Sequence, residues 1–158
     1  MRFWPLIEHM RPHKIISGGQ TGADQGGLDG AKHIGIPTGG MVPKGCRTDA
    51  GPNYRLIADY GVTEHHDWRY PPRTKANVLE ADGTVWVGNV GSPGYYCTRG
   101  ADVALPVRKH WIENPTPEAL REWVITHRIR TLNVAGNRES KNPGVFEKAR
   151  ILIVEAFK

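Results

Sequence analysis

Cysteine is scarce in this chain. Only Cys46 and Cys97 occur, 51 positions apart, with no CxxC pair and no Cys/His cluster. That argues against a zinc module, a disulfide-held framework and a thioredoxin-type site, and it fits a reducing compartment. Long apolar runs are missing as well. No window approaches the roughly 18 apolar residues of a spanning helix. The opening MRFWPLIEHMRPHK is broken by Pro5, Glu8, His9 and Arg11 before a signal-peptide core could form. A soluble, cytoplasmic protein with no membrane partner is expected. Repeats, low-complexity tracts and like-charge runs of five or more are absent, so nothing marks a linker. The 158 residues match one domain, large enough to bury roughly 70% of its unfolded surface without staples. We expect a single ligand-binding domain over 1–158, with 1–13 as an N-terminal extension.

Glycine and proline, in contrast, are abundant, with 19 and 12 copies beside a hydrophobic content of 39%. Such a chain is too apolar to be disordered, so the excess belongs in ordered loops of demanding backbone geometry. The formal charge is +5. It suits an anionic ligand or a nucleic acid, and is also common in domains that bind neither.

A recurring unit organises the chain: a short β-branched run, a glycine-rich turn, then apolar residues at helical spacing. KIIS at 14–17 leads into GGQTGADQGG and a helix with Leu28, Ala31 and Ile34 on one face, stopped by Gly35. GTVWVGN at 83–89 leads into GSPG and a short helix to about Val103, and a further strand is expected near 106–111. Thr116-Pro117-Glu118 reads as a helix start. TLNVA at 131–135 leads into GNRESKNPG and a last helix with Val145, Ala149, Leu152, Ile153 and Ala156 on one stripe. Alternating strands and helices predict an α/β fold, a doubly wound and mostly parallel sheet with helices on both faces.

Ligands of such sheets sit beyond the carboxyl ends of the strands. Three strand ends here carry unusual loops. The first, Gly18-Gly19-Gln20-Thr21-Gly22-Ala23-Asp24, offers close backbone approach and the free N–H groups of a helix start. A β-branched residue at Gly19 is therefore expected to abolish anion binding without unfolding the chain. The second is Gly91-Ser92-Pro93-Gly94, with Tyr95 next and Thr98 one turn on. The third, Gly136-Asn137-Arg138-Glu139-Ser140, adds a guanidinium suited to oxyanions. Lys44, Gly45 and Arg47 form another cationic loop, and Arg73 and Asn77 share a helix face after Pro71-Pro72. Lys44, Arg47, Arg73 and Arg138 are expected to converge on one pocket.

Asp24 and Glu139 are the carboxylates in these motifs able to act as acid or base. The alternatives are a first-turn cap for Asp24 and an ion pair with Arg138 or Arg47 for Glu139. Glu64-His65-His66-Asp67 lacks HxxxH or HxH geometry, so no metal site is expected. Trp68, Tyr70, Tyr95 and Tyr96 are aromatics that could stack on a base or simply pack.

In their order, ISGGQTGADQGGLDGA, GGMVPKG, RTKANVLEADGTVWV, GSPG and LNVAGNRESKNPG resemble the circularly permuted YpsA-like branch of the SLOG superfamily, which carries the label "putative molybdenum carrier". The resemblance runs from about Lys14 to the C-terminus and is weakest over 95–114. It implies a Rossmann-like sheet whose glycine-rich strand ends bind nucleotides or nucleotide-derived ligands, and it makes a homo-oligomer plausible. Related branches include phosphoribohydrolases that cleave nucleoside monophosphates. Tyr95 departs from the family pattern by replacing a small hydroxyl residue, which could offer an aromatic platform. Asn137 stands where proline is usual. The PGGxGTxxE motif of the phosphoribohydrolases is absent, since Tyr95-Tyr96-Cys97-Thr98 follow Gly94, and this weakens an enzymatic reading.

The leading expectation is a non-catalytic binder of an anionic small molecule, a nucleotide or nucleotide-derived signal, acting as carrier or sequestering protein. A nucleotide-processing hydrolase using Asp24 or Glu139 is the alternative, followed by a molybdenum-cofactor carrier. A nucleic-acid-binding module comes last, because no reader motif or basic helix is present.

Overall fold

A computed structural model describes residues 10–158, so most of the expected N-terminal extension lies outside the described residues. The β-branched runs form strands β1 (Lys14–Ile16), β7 (Gly83–Val87), β8 (His110–Glu113) and β9 (Thr131–Gly136), joined by the short β2 (Thr38–Gly39). These five lie in the order β2-β1-β9-β7-β8, and every pairing between them is parallel. The helices are α1 (Ala23–His33), α2 (Arg55–Tyr60), α3 (Tyr70–Glu80), α4 (Pro93–Val103), α5 (Pro117–His127) and α6 (Val145–Phe157). Two small pairs complete the set: β3 (Met41–Val42) with β6 (Thr63–Glu64), and β4 (Arg47–Thr48) with β5 (Gly51–Pro52).

Alternation along the strands assigns the two sheet faces. Ile15, Val85, Val87, Leu132 and Val134 point into the main core, built with Ala23 and Ala31 of α1, Leu120 and Val124 of α5, and Ala149 and Ile153 of α6. Trp86, Asn133 and Ala135 take the other face, which α3 and α4 cover. The result is a Rossmann-like α/β fold with helices on both faces, as the alternating pattern predicts.

Three glycines inside α1 oppose helix formation by about 1 kcal/mol each relative to alanine. Packing explains them. A Cβ at Gly26 would fall 2.2 Å from the Phe146 carbonyl oxygen, and one at Gly30 would fall 2.8 Å from that of Arg150. Backbone contact between α1 and α6 therefore requires the missing side chains.

Helix ends follow local chemistry. Thr116 caps α5 by accepting from Ala119 N–H at 3.1 Å, and Ser92 caps α4 by accepting from Tyr95 N–H at 3.2 Å. The strand expected near 106–111 forms later, at His110–Glu113. Residues 41–64 build a satellite core of Leu28, Val42, Cys46, Leu56 and Val62 beside the sheet.

Candidate functional site

From β1 the chain turns outward to β2, whereas from β7 it turns the opposite way to β8. The divergence leaves a crevice at the carboxyl ends of β1, β9 and β7, where open α/β sheets bind ligands. A cavity of about 530 Å³ occupies it, floored by Asn133, Ala135 and Gly136 and walled by α3, α4 and the loops after β1 and β9. That volume lies within the range of small-molecule sites.

Arg73 dominates its electrostatics. The side chain lines the cavity yet is only 8% exposed. Its guanidinium lies against Gly18, where a Cβ would come within 2.7 Å of Cζ. One Arg73 nitrogen, Nη1, donates to the Thr74 hydroxyl. Nε is buried and has no hydrogen-bond partner. Burial lowers the guanidinium from its ordinary value, and Asp24 opposes this.

Asp24 shares the cavity and is 6% exposed. Burial pushes its carboxyl up to about 6, against the pull of Arg73 and of backbone hydrogen bonds from Gln20 and Gly18. Its Oδ2 accepts from Gln20 N–H at 3.1 Å, so it ties down the loop before α1 rather than capping the helix. The sign of the pH dependence follows. The folded chain holds this proton where the unfolded chain has lost it, so the contribution is complete below about pH 4 and lost as pH rises through about 6. Lowering the pH from about 7 to about 5 should stabilise the wild type by about 1 kcal/mol more than Asp24→Asn. Urea denaturation at the two pH values checks this, and parallel behaviour of the two proteins would refute it.

Tyr70 forms the cavity mouth. The guanidinium carbons of Arg47, Arg138 and Arg73 lie 4.6, 5.2 and 5.3 Å from its ring centroid. Arg138 also donates to Asp49 Oδ1 at 3.2 Å. Asp49 in turn accepts from the Ser140 hydroxyl, which with Arg138 holds its carboxyl below the usual range.

Of the residues singled out in the sequence, the cavity brings together Gly18, Gln20, Asp24, Arg73, Asn77, Ser92, Gly94, Thr98, Gly136 and Arg138. Several have side chains already engaged. Asn77 clamps Met41, accepting from its N–H at 2.8 Å and donating to its carbonyl at 2.9 Å. Ser92 donates to the Asn89 carbonyl at 3.0 Å, and Thr98 donates to the Gly94 carbonyl at 3.1 Å. The Gly94 N–H lies in the first turn of α4, where a helix offers it no acceptor of its own.

Gly19, Thr21, Gly22, Lys44, Gly45, Arg47, Gly91, Tyr95, Glu139 and Ser140 do not line the cavity. The four cations therefore do not all converge. Lys44 is exposed, with its N–H donating to the Asp67 carbonyl at 3.0 Å, and Arg47 is exposed over the Tyr70 and Trp68 rings. Tyr95 turns toward β8, where its hydroxyl donates to Glu113 and its ring packs edge-on against Trp86 and Trp111; it is no platform for a ligand. Glu139 accepts from Gly144 and Phe146 N–H at 2.6 and 2.9 Å. It caps α6, neither serving the cavity nor pairing with Arg138 or Arg47.

Gly19 corrects a further expectation. Its φ is +71, and a Cβ there would lie 2.5 Å from Val42 Cγ1 and 3.2 Å from Leu56 Cδ1. The missing side chain serves the satellite core, not a ligand. Gly19→Val should thus destabilise the fold by more than about 2 kcal/mol. A chemical-denaturation midpoint unchanged from the wild type would contradict this.

Cavity residues to which the sequence assigns no site role include Thr74, Asn89, Cys97, Asn133 and Lys141, with Pro93 and Asn137 named only as loop members and Tyr70 only as an aromatic. Some signals were present. Asn133 interrupts an otherwise apolar strand, and Cys97 sits one turn after Gly94. Asn137 is a staple between two loops: Oδ1 accepts from Asn89 N–H at 2.7 Å, and Nδ2 donates to Ser92 Oγ at 3.0 Å. Among the described residues, no group of three or more His, Cys, Asp or Glu side chains could hold a metal ion. His65 instead accepts from Asp67 N–H at 2.9 Å within a local turn.

No curated protein matches. A crystal structure of a "putative molybdenum carrier protein" from Syntrophus aciditrophicus is similar at a TM-score of 0.80 and 33% identity, covering 92% of this chain and 94% of that one. The model of the circularly permutated YpsA SLOG family matches residues 15–157. With the match spanning nearly the whole chain, this protein belongs to the circularly permutated YpsA SLOG family.

Proposed function

We propose that the protein is a non-catalytic carrier or sequestering protein for an anionic small molecule bearing a phosphate or similar tetrahedral oxyanion, a nucleotide-derived ligand being the favoured class. One observation carries this reading: Arg73 lines the cavity while only 8% exposed, and its Nε has no acceptor. A buried cationic donor left unpaired costs free energy, and a bound oxyanion would satisfy it. The N–H of Gly94, in the first turn at the positive end of α4, supplies a second donor, and Arg138 and Lys141 add charge to the lining.

The relative's name associates that protein with molybdenum. In this chain a bare metal cation fits poorly, because the described residues offer no ligand cluster. Molybdate, or the phosphate of a molybdenum-bearing cofactor, presents the same tetrahedral oxyanion and fits the same donors as cargo. A hydrolase remains the second reading, favoured by Asp24, whose carboxyl titrates near 6 inside the cavity.

Titration calorimetry with inorganic phosphate, molybdate and nucleoside monophosphates, followed by chromatography of the recovered ligand, tests the proposal. Saturable binding of one ligand per subunit with unchanged ligand supports carriage. Release of free base, lost in Asp24→Asn, would establish the hydrolase instead. A compact ligand engages few charges, so salt dependence should be shallow. Tight oligonucleotide binding that falls roughly a thousandfold between about 50 and 200 mM salt would point to a nucleic-acid module.

A further inference from the structure

The two cysteines have opposite surroundings. Cys46 is fully buried in the satellite core, whereas Cys97 is exposed and lines the anion cavity. Cys97 lies on α4, one turn after Gly94, within the electrostatic reach of Arg73, which is 8% exposed and has its Nε unpartnered. Arg138 and Lys141 line the same cavity, and among the described residues Asp24 is the one carboxylate lining it. An exposed thiol inside a cationic pocket meets anionic reagents at raised local concentration.

We infer that Cys97 is a modification site, a thiol that exchanges selectively with small anionic disulfides and whose mixed disulfide fills the cavity. The Cys97 thiolate attacks one sulfur of the disulfide. A bond forms from Cys97 Sγ to that sulfur, the reagent's own S–S bond breaks, and the second sulfur leaves as a thiolate carrying the electron pair. A free thiol reverses the step. The consequence, that the modified protein no longer takes an oxyanion, rests on the carrier reading; the selectivity of Cys97 does not.

The test compares the exchange rates of the intact protein with 5,5′-dithiobis(2-nitrobenzoate), a dianion, and with uncharged 4,4′-dithiodipyridine. Each rate is referenced to the free thiol N-acetylcysteine. The anionic-to-neutral ratio should exceed that of the free thiol by about tenfold or more at low salt. It should fall at least about threefold at roughly 1 M salt, where charges are screened, and in the Arg138→Gln/Lys141→Gln variant, which leaves the buried core untouched. Intact-mass measurement should show one added group on the wild type and none on Cys97→Ser. A ratio equal to that of the free thiol, or a label that persists in Cys97→Ser, overturns the inference. Because no ligand is present in these measurements, such a failure leaves the calorimetric test of carriage standing.

Discussion

Replacing Arg73 by glutamine should weaken the binding of inorganic phosphate or a nucleoside monophosphate by about 100-fold. Hydrogen bonds to a charged group contribute about 1.5–3 kcal/mol each, and Arg73 offers a buried donor with no other acceptor. The loss should appear in affinity rather than in folding. Asp24, the carboxylate facing Arg73, is already pushed up to about 6 by burial, so removal of the guanidinium is answered by proton uptake instead of a stranded charge. Ser140→Ala makes the contrast, because the Ser140 hydroxyl is directed to Asp49 and its removal should leave affinity within about twofold. Calorimetry on both variants, with circular dichroism to verify folding, decides the matter. Equal affinities for Arg73→Gln and the wild type would place the anion elsewhere.

Gly22→Ala should be strongly disruptive. Gly22 precedes α1 at φ 86 and ψ −130, a region that side chains reach only with strain. A Cβ there would fall 2.4 Å from the Asn137 carbonyl oxygen and 2.6 Å from the Glu139 nitrogen. Both are backbone atoms held by the staple and the cap of the third loop, so neither can yield cheaply. Strain and overpacking together predict a loss of about 3 kcal/mol or more. For a chain of this size that is a fall of about 10 °C in Tm. Gly91→Ala provides the control, since nothing lies within 4 Å of its Cβ position, and it should change stability by no more than about 0.5 kcal/mol. A Gly22→Ala variant as stable as the wild type would refute the packing account of this loop.

The layered architecture was legible because long elements advertise themselves. GTVWV and TLNVAG are strands buried enough to read as apolar runs, and α5 and α6 show helical stripes, α5 behind a recognisable Thr-Pro-Glu start. Residues 38–64 were not legible in this way. Strands two residues long carry no periodicity and are held by tertiary contacts, among them the clamp of Asn77 on Met41. The edge strand β8 was displaced in the reading because its residues are half-buried or exposed, which leaves little apolar signal to fix its limits.

Within the site, motif position predicted which loops meet but not which atoms face the cavity. Glycine motifs mix two purposes that the sequence cannot separate. Gly94 sits in the first turn of a helix that lines the cavity, while Gly19 and Gly22 make room for Val42 and for the neighbouring loop. Glu139 was misread for a related reason. A carboxylate several residues before a helix is a cap only when the intervening loop folds back, and that geometry is tertiary. Arg73, in contrast, lines the cavity together with Asn77, in keeping with their spacing after the helix-starting prolines. What the spacing could not reveal is its burial against Gly18.

The central claim is that a tetrahedral oxyanion binds between Arg73 and the start of α4. Crystals soaked in tungstate, a heavy stand-in for phosphate and molybdate, test it most directly through anomalous scattering. The account predicts a single strong peak within hydrogen-bonding distance of the Arg73 guanidinium and Gly94 N, absent from Arg73→Gln crystals treated identically. A peak seated elsewhere on the molecule, or one that survives the loss of Arg73, would contradict it.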